Sequence, residues 1–104
     1  MQFDVYVNPV PQARSAFPYV AAVQSDLADS GRDRVVVFLA PRAGLPNILP
    51  GRLIPTVIVQ TKDYALLIPS LTNLPAAELK PAVGNIAASR DAIFAALDYL
   101  FTGV

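Results

Sequence analysis

The chain reads as a mainly β domain closed by one C-terminal helix, an α+β or barrel-like class. Three observations predict this. Short apolar stretches rich in β-branched residues recur from the N-terminus to about residue 74, separated by proline, glycine and aspartate. One long stretch, Ile86 to Val104, carries helical periodicity. The strands come as a run before the helix, without the alternation that would build a parallel sheet.

Gln2 to Asn8 alternates, with Phe3, Val5 and Val7 on one face and Gln2, Asp4, Tyr6 and Asn8 on the other. That pattern predicts a half-buried strand. Asn8-Pro9-Val10-Pro11 ends it, because proline fixes φ and lacks a donor. The segment to Ser15 reads as an extended loop or small hairpin. Phe17 to Gln24 is a second strand whose start, at Pro18, suits an edge. A polar turn from Ser25 to Gly31 follows. Arg34 to Ala40 is the most apolar strand and fits burial on both faces.

Pro41 to Pro55 holds four prolines and two glycines and reads as an irregular connection, with a short strand near Leu53. Pro55 to Gln60 and Tyr64 to Pro69 are two further strands around a hairpin loop at Thr61-Lys62-Asp63. Leu71 to Leu74 pairs briefly. Pro75, in an N1-like position, begins one helical turn that Pro81 stops. Val83-Gly84-Asn85 leads into the helix.

In that helix Ile86, Ile93, Ala96, Leu97 and Leu100 fall on one stripe at about 100° per residue. Asp91, Ala95, Asp98 and Thr102 fall opposite. Phe94 and Phe101 flank the stripe on one side and Tyr99 on the other. Asn85 or Ser89 is placed to cap the start, and Gly103 is a stop signal.

The 104 residues suffice for one domain, 1–104, with one core. Hydrophobic residues make up 54% and charged residues 15% of the chain, against about 25% charged in ordinary domains. So little charge covers a small monomer poorly, and a homodimer is expected. Lys plus Arg and Asp plus Glu are both 8, so bulk electrostatics does not draw the chain to nucleic acid. Cysteine and histidine are both absent. That removes disulfides, thiolate chemistry, the commonest general base and the commonest metal ligand. MQFDVYV lacks a basic region and a long apolar region, so no leader is expected. The longest apolar run, Val35 to Ala40, is far short of the ~20 residues a membrane span needs.

Asp26, Asp29 and Asp33 cluster in one turn, and strand-end capping accounts for them. Paired with Arg32 or Arg34, such a carboxylate would also suit general-base work on RNA. No metal-ligand spacing, phosphate loop or nucleophile elbow occurs. The residues alone favour a small, dimer-prone binding domain over an enzyme.

Four stretches together resemble the CcdB family of plasmid-addiction toxins. They are Met1-Gln2-Phe3-Asp4-Val5-Tyr6, Val23-Gln24-Ser25-Asp26-Leu27, Leu53-Ile54-Pro55-Thr56-Val57 and Leu100-Phe101-Thr102-Gly103-Val104. The resemblance implies a CcdB/Kid/MazF-like, SH3-like barrel with a main antiparallel sheet, a small wing sheet and a C-terminal helix, paired as a two-fold dimer. It implies a cytoplasmic toxin, neither an enzyme nor dependent on a cofactor, that binds the DNA gyrase A subunit and traps the cleaved DNA complex. A CcdA-like antitoxin would reverse this through a disordered segment. The pair would repress its own promoter, reaching operator DNA only through the antitoxin.

By the same resemblance the gyrase contact falls on Phe101, Thr102, Gly103 and Val104, and the antitoxin contact on Leu27, Ala28, Asp98 and Phe101. The family's tail reads tryptophan, glycine, aliphatic. Gly103 and Val104 match it and Thr102 does not. That departure leaves four alternatives: an anchor supplied by Phe101 or Tyr99, a changed target, a weak toxin, or a member that binds antitoxin without poisoning gyrase. An endoribonuclease on the same fold is a further one. The proline-rich stretch Pro9 to Pro18 also departs from the family and implies a differently shaped wing.

Overall fold

A computed structural model describes residues 1–28, 31–45 and 51–103. Six strands form one antiparallel sheet: β1 (Asp4–Val7), β2 (Tyr19–Ala22), β3 (Asp33–Pro41), β4 (Thr56–Val59), β5 (Lys62–Pro75) and β6 (Ala82–Asn85). Their order across the sheet is β4-β5-β3-β2-β1-β6. The helix α1 spans Arg90–Thr102. The mainly β, barrel-like class with a terminal helix is therefore as the sequence predicts.

The sheet nearly closes on itself where its two edges meet. A Cβ placed on Gly84 of β6 would stand 3.6 Å from Val59 Cγ1 of β4, so the strands approach to van der Waals contact. The Gln60 side chain reaches across the seam. Its Nε2 donates to Val83 O at 3.4 Å, and its Oε1 accepts from the Tyr19 hydroxyl at 3.4 Å.

β6 is a strand that the sequence reading had passed over as a lead-in to the helix. Its four residues, Ala-Val-Gly-Asn, carry no β-pattern of their own. Pairing to β1, from Asp4↔Asn85 to Tyr6↔Ala82, makes it a strand. β5 is also longer than predicted, at 14 residues. A bulge between Val36↔Thr72 and Phe38↔Leu67 lets it run through Pro69. Ser70 fills the gap: its Oγ accepts from Phe38 N at 3.0 Å and donates to Leu67 O at 2.6 Å. Beyond the bulge the β3–β5 pair continues as an extension of the same sheet. The described residues form no second sheet, so the small wing sheet expected beside the main one is not a separate sheet here. Of the loop and the small hairpin expected after β1, the chain forms a loop, with a 3-10 turn at Pro11–Ala13. The strand expected near Leu53 is a turn.

The core lies inside the curved sheet, under α1. It gathers Val5, Val37, Leu39, Leu66, Ile68, Ile93 and Ala96, all fully buried. A second cluster on the other face joins Tyr6, Val20, Ala22, Val36 and Leu79. β1 is thus covered on both sides, and the half-buried reading of it needs correction. Tyr6 is buried because Leu79, carried by the segment after β5, shares that cluster with it. Val7, expected inside, is 49% exposed. Asn8, expected outside, is fully buried. Its Nδ2 donates to Phe17 O and its Oδ1 accepts from Val10 N, so the amide holds the proline-rich loop shut. Its backbone oxygen also accepts from Arg14 Nε. β3 is buried on both faces as expected, with Val36 in one cluster and Val37 in the other.

The β4–β5 hairpin turns on two residues, since Val59 pairs with Lys62. Lys62 and Asp63 therefore belong to the strand and not to the tip, though both are solvated as expected. Gln60 and Thr61 have φ of 50° and 68°. Two-residue hairpins favour this left-handed pair of dihedrals, ordinarily filled by Asn-Gly. A β-branched residue is strained there. Thr61→Gly is expected to raise unfolding stability by about 0.5–1 kcal/mol, the relieved strain exceeding the added chain entropy. Urea denaturation checks it.

Burial, and next the Asp4 carboxylate, push the Tyr6 phenol above its ordinary value near 10. Burial does the same to Tyr64. The folded chain thus holds protons that the unfolded chain releases sooner. Their contribution is complete below about pH 10 and is lost as pH rises through the folded values. The urea midpoint is expected to fall as pH rises above about 10, and Tyr6→Phe with Tyr64→Phe should flatten the drop.

Candidate docking surface at the helix end

Helix α1 is entered through a 3-10 turn, Ala87–Ser89. Asn85 Oδ1 accepts from Ala87 N at 2.8 Å and organises that entry. Ser89, in the N-cap position, makes no side-chain cap bond. Asp91 sits in the first turn, where the helix dipole is positive. At the other end Gly103 takes φ 76°, and its N–H donates to Tyr99 O at 3.0 Å. This is the left-handed cap that the glycine signals.

The predicted stripe is the buried one. Ile86, Ile93 and Ala96 are buried, and Leu97 and Leu100 pack against the core. Asp91, Ala95, Asp98 and Thr102 face solvent. Phe94 is half-buried and meets Phe3 edge-to-face, with ring centroids 5.7 Å apart. Phe3 holds φ 70°. Its N–H donates to Ala22 O at 2.6 Å and its carbonyl accepts from Ile86 N at 2.9 Å. The Arg90 guanidinium lies 5.2 Å from the Phe94 ring centre, and that of Arg52 lies 4.3 Å from the Tyr99 ring centre.

Phe101 is seven residues beyond Phe94, so it continues the same line along the helix, about 10 Å further on. It is 69% exposed. Thr102 is exposed, but its hydroxyl donates to Asp98 O at 2.6 Å and is spent inside the helix. Asp98 forms no ion pair among the described residues. No basic residue stands in the last turn. The exposed end therefore combines a free aromatic ring, a carboxylate and the negative end of the helix dipole. Val104 lies outside the described residues.

Leu27 and Ala28 sit in a 3-10 turn, Asp26–Ala28. The turn is pinned from several sides. Asp26 Oδ1 accepts from Gln2 N at 2.9 Å, Gln24 Nε2 donates to Ala28 O at 2.6 Å, and Ser25 Oγ accepts from Leu27 N at 3.2 Å. Gln2 Nε2 also donates to Val23 O at 3.1 Å. On this fixed turn Leu27 is wholly exposed. The turn connects through Gln2 and Phe3 to Phe94, in the first half of α1. The predicted residues thus fall on two elements: Leu27 and Ala28 on the 3-10 turn, and Asp98, Phe101, Thr102 and Gly103 at the end of α1.

Sequence reasoning missed Arg52, Phe3 and Gln2 as the parts that hold this surface. Their roles come from tertiary contacts, and no local pattern signals them.

Asp26 does not cap its own turn: its carboxylate accepts from Gln2 N, at the start of the chain. Asp29 lies outside the described residues. The Tyr6 phenol, held protonated at neutral pH, is no base. Among the described residues no three or more of His, Cys, Asp and Glu gather as metal ligands. Clefts lined by Arg42 and Tyr64, by Leu71 and Thr72, and by Phe17 and Leu45 share no residue with the helix end. The surface described here is open and fits a protein face better than an enclosed small molecule. No helix among the described residues is long and apolar enough to cross a membrane.

No curated protein matches the chain. The family model described as CcdB protein matches residues 2–103. With nearly the whole length matched, from the start of the sheet to the helix end, the chain belongs to the CcdB family.

Proposed function

We propose that this chain, as one domain over 1–104, is the toxin of a type II toxin–antitoxin module. It docks as a cytoplasmic homodimer on the DNA gyrase A subunit, through Phe101, Thr102, Gly103 and Val104, and holds the cleaved DNA complex. A CcdA-like antitoxin covers Leu27, Ala28, Asp98 and Phe101 and displaces it. Toxin and antitoxin together repress their operon. Membership of a toxin family carries this reading. The 69% exposure of Phe101 supports it, because an aromatic ring on a rigid helix end is the kind of group that dominates protein interfaces. Since Phe101 belongs to both proposed contacts, the two partners exclude each other without any conformational change. Pairing into a dimer is supported by the low charge content.

The Thr102 hydroxyl, bonded to Asp98 O, favours a second reading. A residue turned back into its own helix offers a partner little, and on this second reading the chain binds antitoxin and leaves gyrase alone.

Calorimetry with a gyrase A fragment and with the cognate antitoxin segment separates the two. Under the first reading Phe101→Ala weakens gyrase binding by at least about 30-fold, the loss of an interface anchor worth about 2 kcal/mol. Tight antitoxin binding with no gyrase binding by the unaltered protein would select the second. Asp98→Lys reverses charge beside the negative helix end. It is expected to weaken antitoxin binding about 5- to 10-fold at low salt and less at high salt. Unchanged affinity would remove Asp98 from the antitoxin contact.

A further inference from the structure

Tyr99 stands next to Asp98 on α1, and its ring is not bare. The Arg52 guanidinium lies over it, 4.3 Å from the ring centre. Arg52 comes from the segment that leads into β4. Just past it, Ile54 is buried and Pro55 O accepts from Leu66 N at 2.9 Å. The backbone beside Arg52 is thus tied to the core and to β5, while the side chain reaches across to the helix.

Arg52 is nonetheless exposed, and among the described residues it enters no ion pair. A guanidinium held to a ring by its charge spends none of its N–H donors on that contact. Asp98 is likewise exposed and without an ion pair, so the two do not neutralise each other. At about 100° per residue, Asp98 lies between Tyr99 and Phe101 around the outer side of the helix. The helix end therefore presents, in order, a cation seated on a ring, a carboxylate and a bare ring.

We propose that Arg52 is a further contact residue for the antitoxin segment, receiving one of its carboxylates. This rests on the toxin reading above. Tyr99 adjoins Asp98, which belongs to the antitoxin contact and not to the gyrase contact, so the segment that covers Asp98 reaches Arg52. Covering a guanidinium without a counter-charge is costly, and its fork matches a carboxylate in two parallel bonds. Stacking on Tyr99 has already restricted the side chain, which reduces the ordering that binding requires. Arg52 and Asp98 together then select a segment with an acidic and a basic side chain placed to meet them, and penalise one of a single sign.

The test is calorimetry with the synthetic C-terminal half of the antitoxin encoded beside this gene. Versions of that segment carry each carboxylate in turn changed to its amide. Arg52→Gln is expected to weaken binding about 10-fold at low salt and less at high salt. Arg52→Lys, which keeps the charge without the fork, should fall between. One amide version should show the same loss and lose nothing more against Arg52→Gln, a coupling that mere support of Tyr99 does not produce. Should Arg52→Gln fail to fold, the same cycle is run with Arg52→Lys. Unchanged affinity in Arg52→Gln, or a loss coupled to no carboxylate of the segment, overturns the proposal and leaves the toxin reading in place. No binding of the segment by the unaltered protein overturns both.

Discussion

Seating α1 in the curved sheet is the constraint on which the rest depends. Ile93 and Ala96 are fully buried there, and Phe94 is locked edge-to-face on Phe3. A helix fixed at those points has no freedom to rotate. Asp98 and Phe101 must then face outward, because the helical repeat leaves them no place in the core. The same seat explains the left-handed Phe3, an uncommon conformation for a large residue. Its backbone bonds both Ala22 and Ile86, joining β1, β2 and the helix entry, while its ring meets the helix itself. One residue thus couples the sheet and the helix, and its neighbour Gln2 bonds the Leu27 turn.

The helix was legible because periodicity survives averaging over thirteen residues. Its buried stripe, its outward aspartates and its glycine stop all follow from spacing. β3 was legible for a similar reason, since a run of β-branched residues has few other uses. What failed was short or depended on distant partners. β6 has no pattern and exists through pairing with β1. Tyr6 and Asn8 are polar by composition and buried by context, one beside Leu79 and the other by filling the bonds of a proline-rich loop. The hairpin tip was misplaced because Gln60 and Thr61 adopt left-handed dihedrals without the glycine that usually announces them.

The candidate surface divides along the same line. Exposure of Asp98 and Phe101 could be read from the helical repeat. Leu27 could not be read from spacing; it entered through the resemblance, and its rigid, wholly exposed setting emerges from four hydrogen bonds made by its neighbours. The Asp26 carboxylate is likewise engaged through a distant partner, Gln2 N, which the spacing of the polar turn does not announce.

The account stands on docking without chemistry. The most direct test adds purified protein to gyrase and plasmid DNA, and to cellular RNA in a parallel reaction. Linear DNA that accumulates on detergent treatment, disappears when antitoxin is added and leaves the RNA intact is the predicted result. Cleavage of the RNA by the protein alone would contradict it.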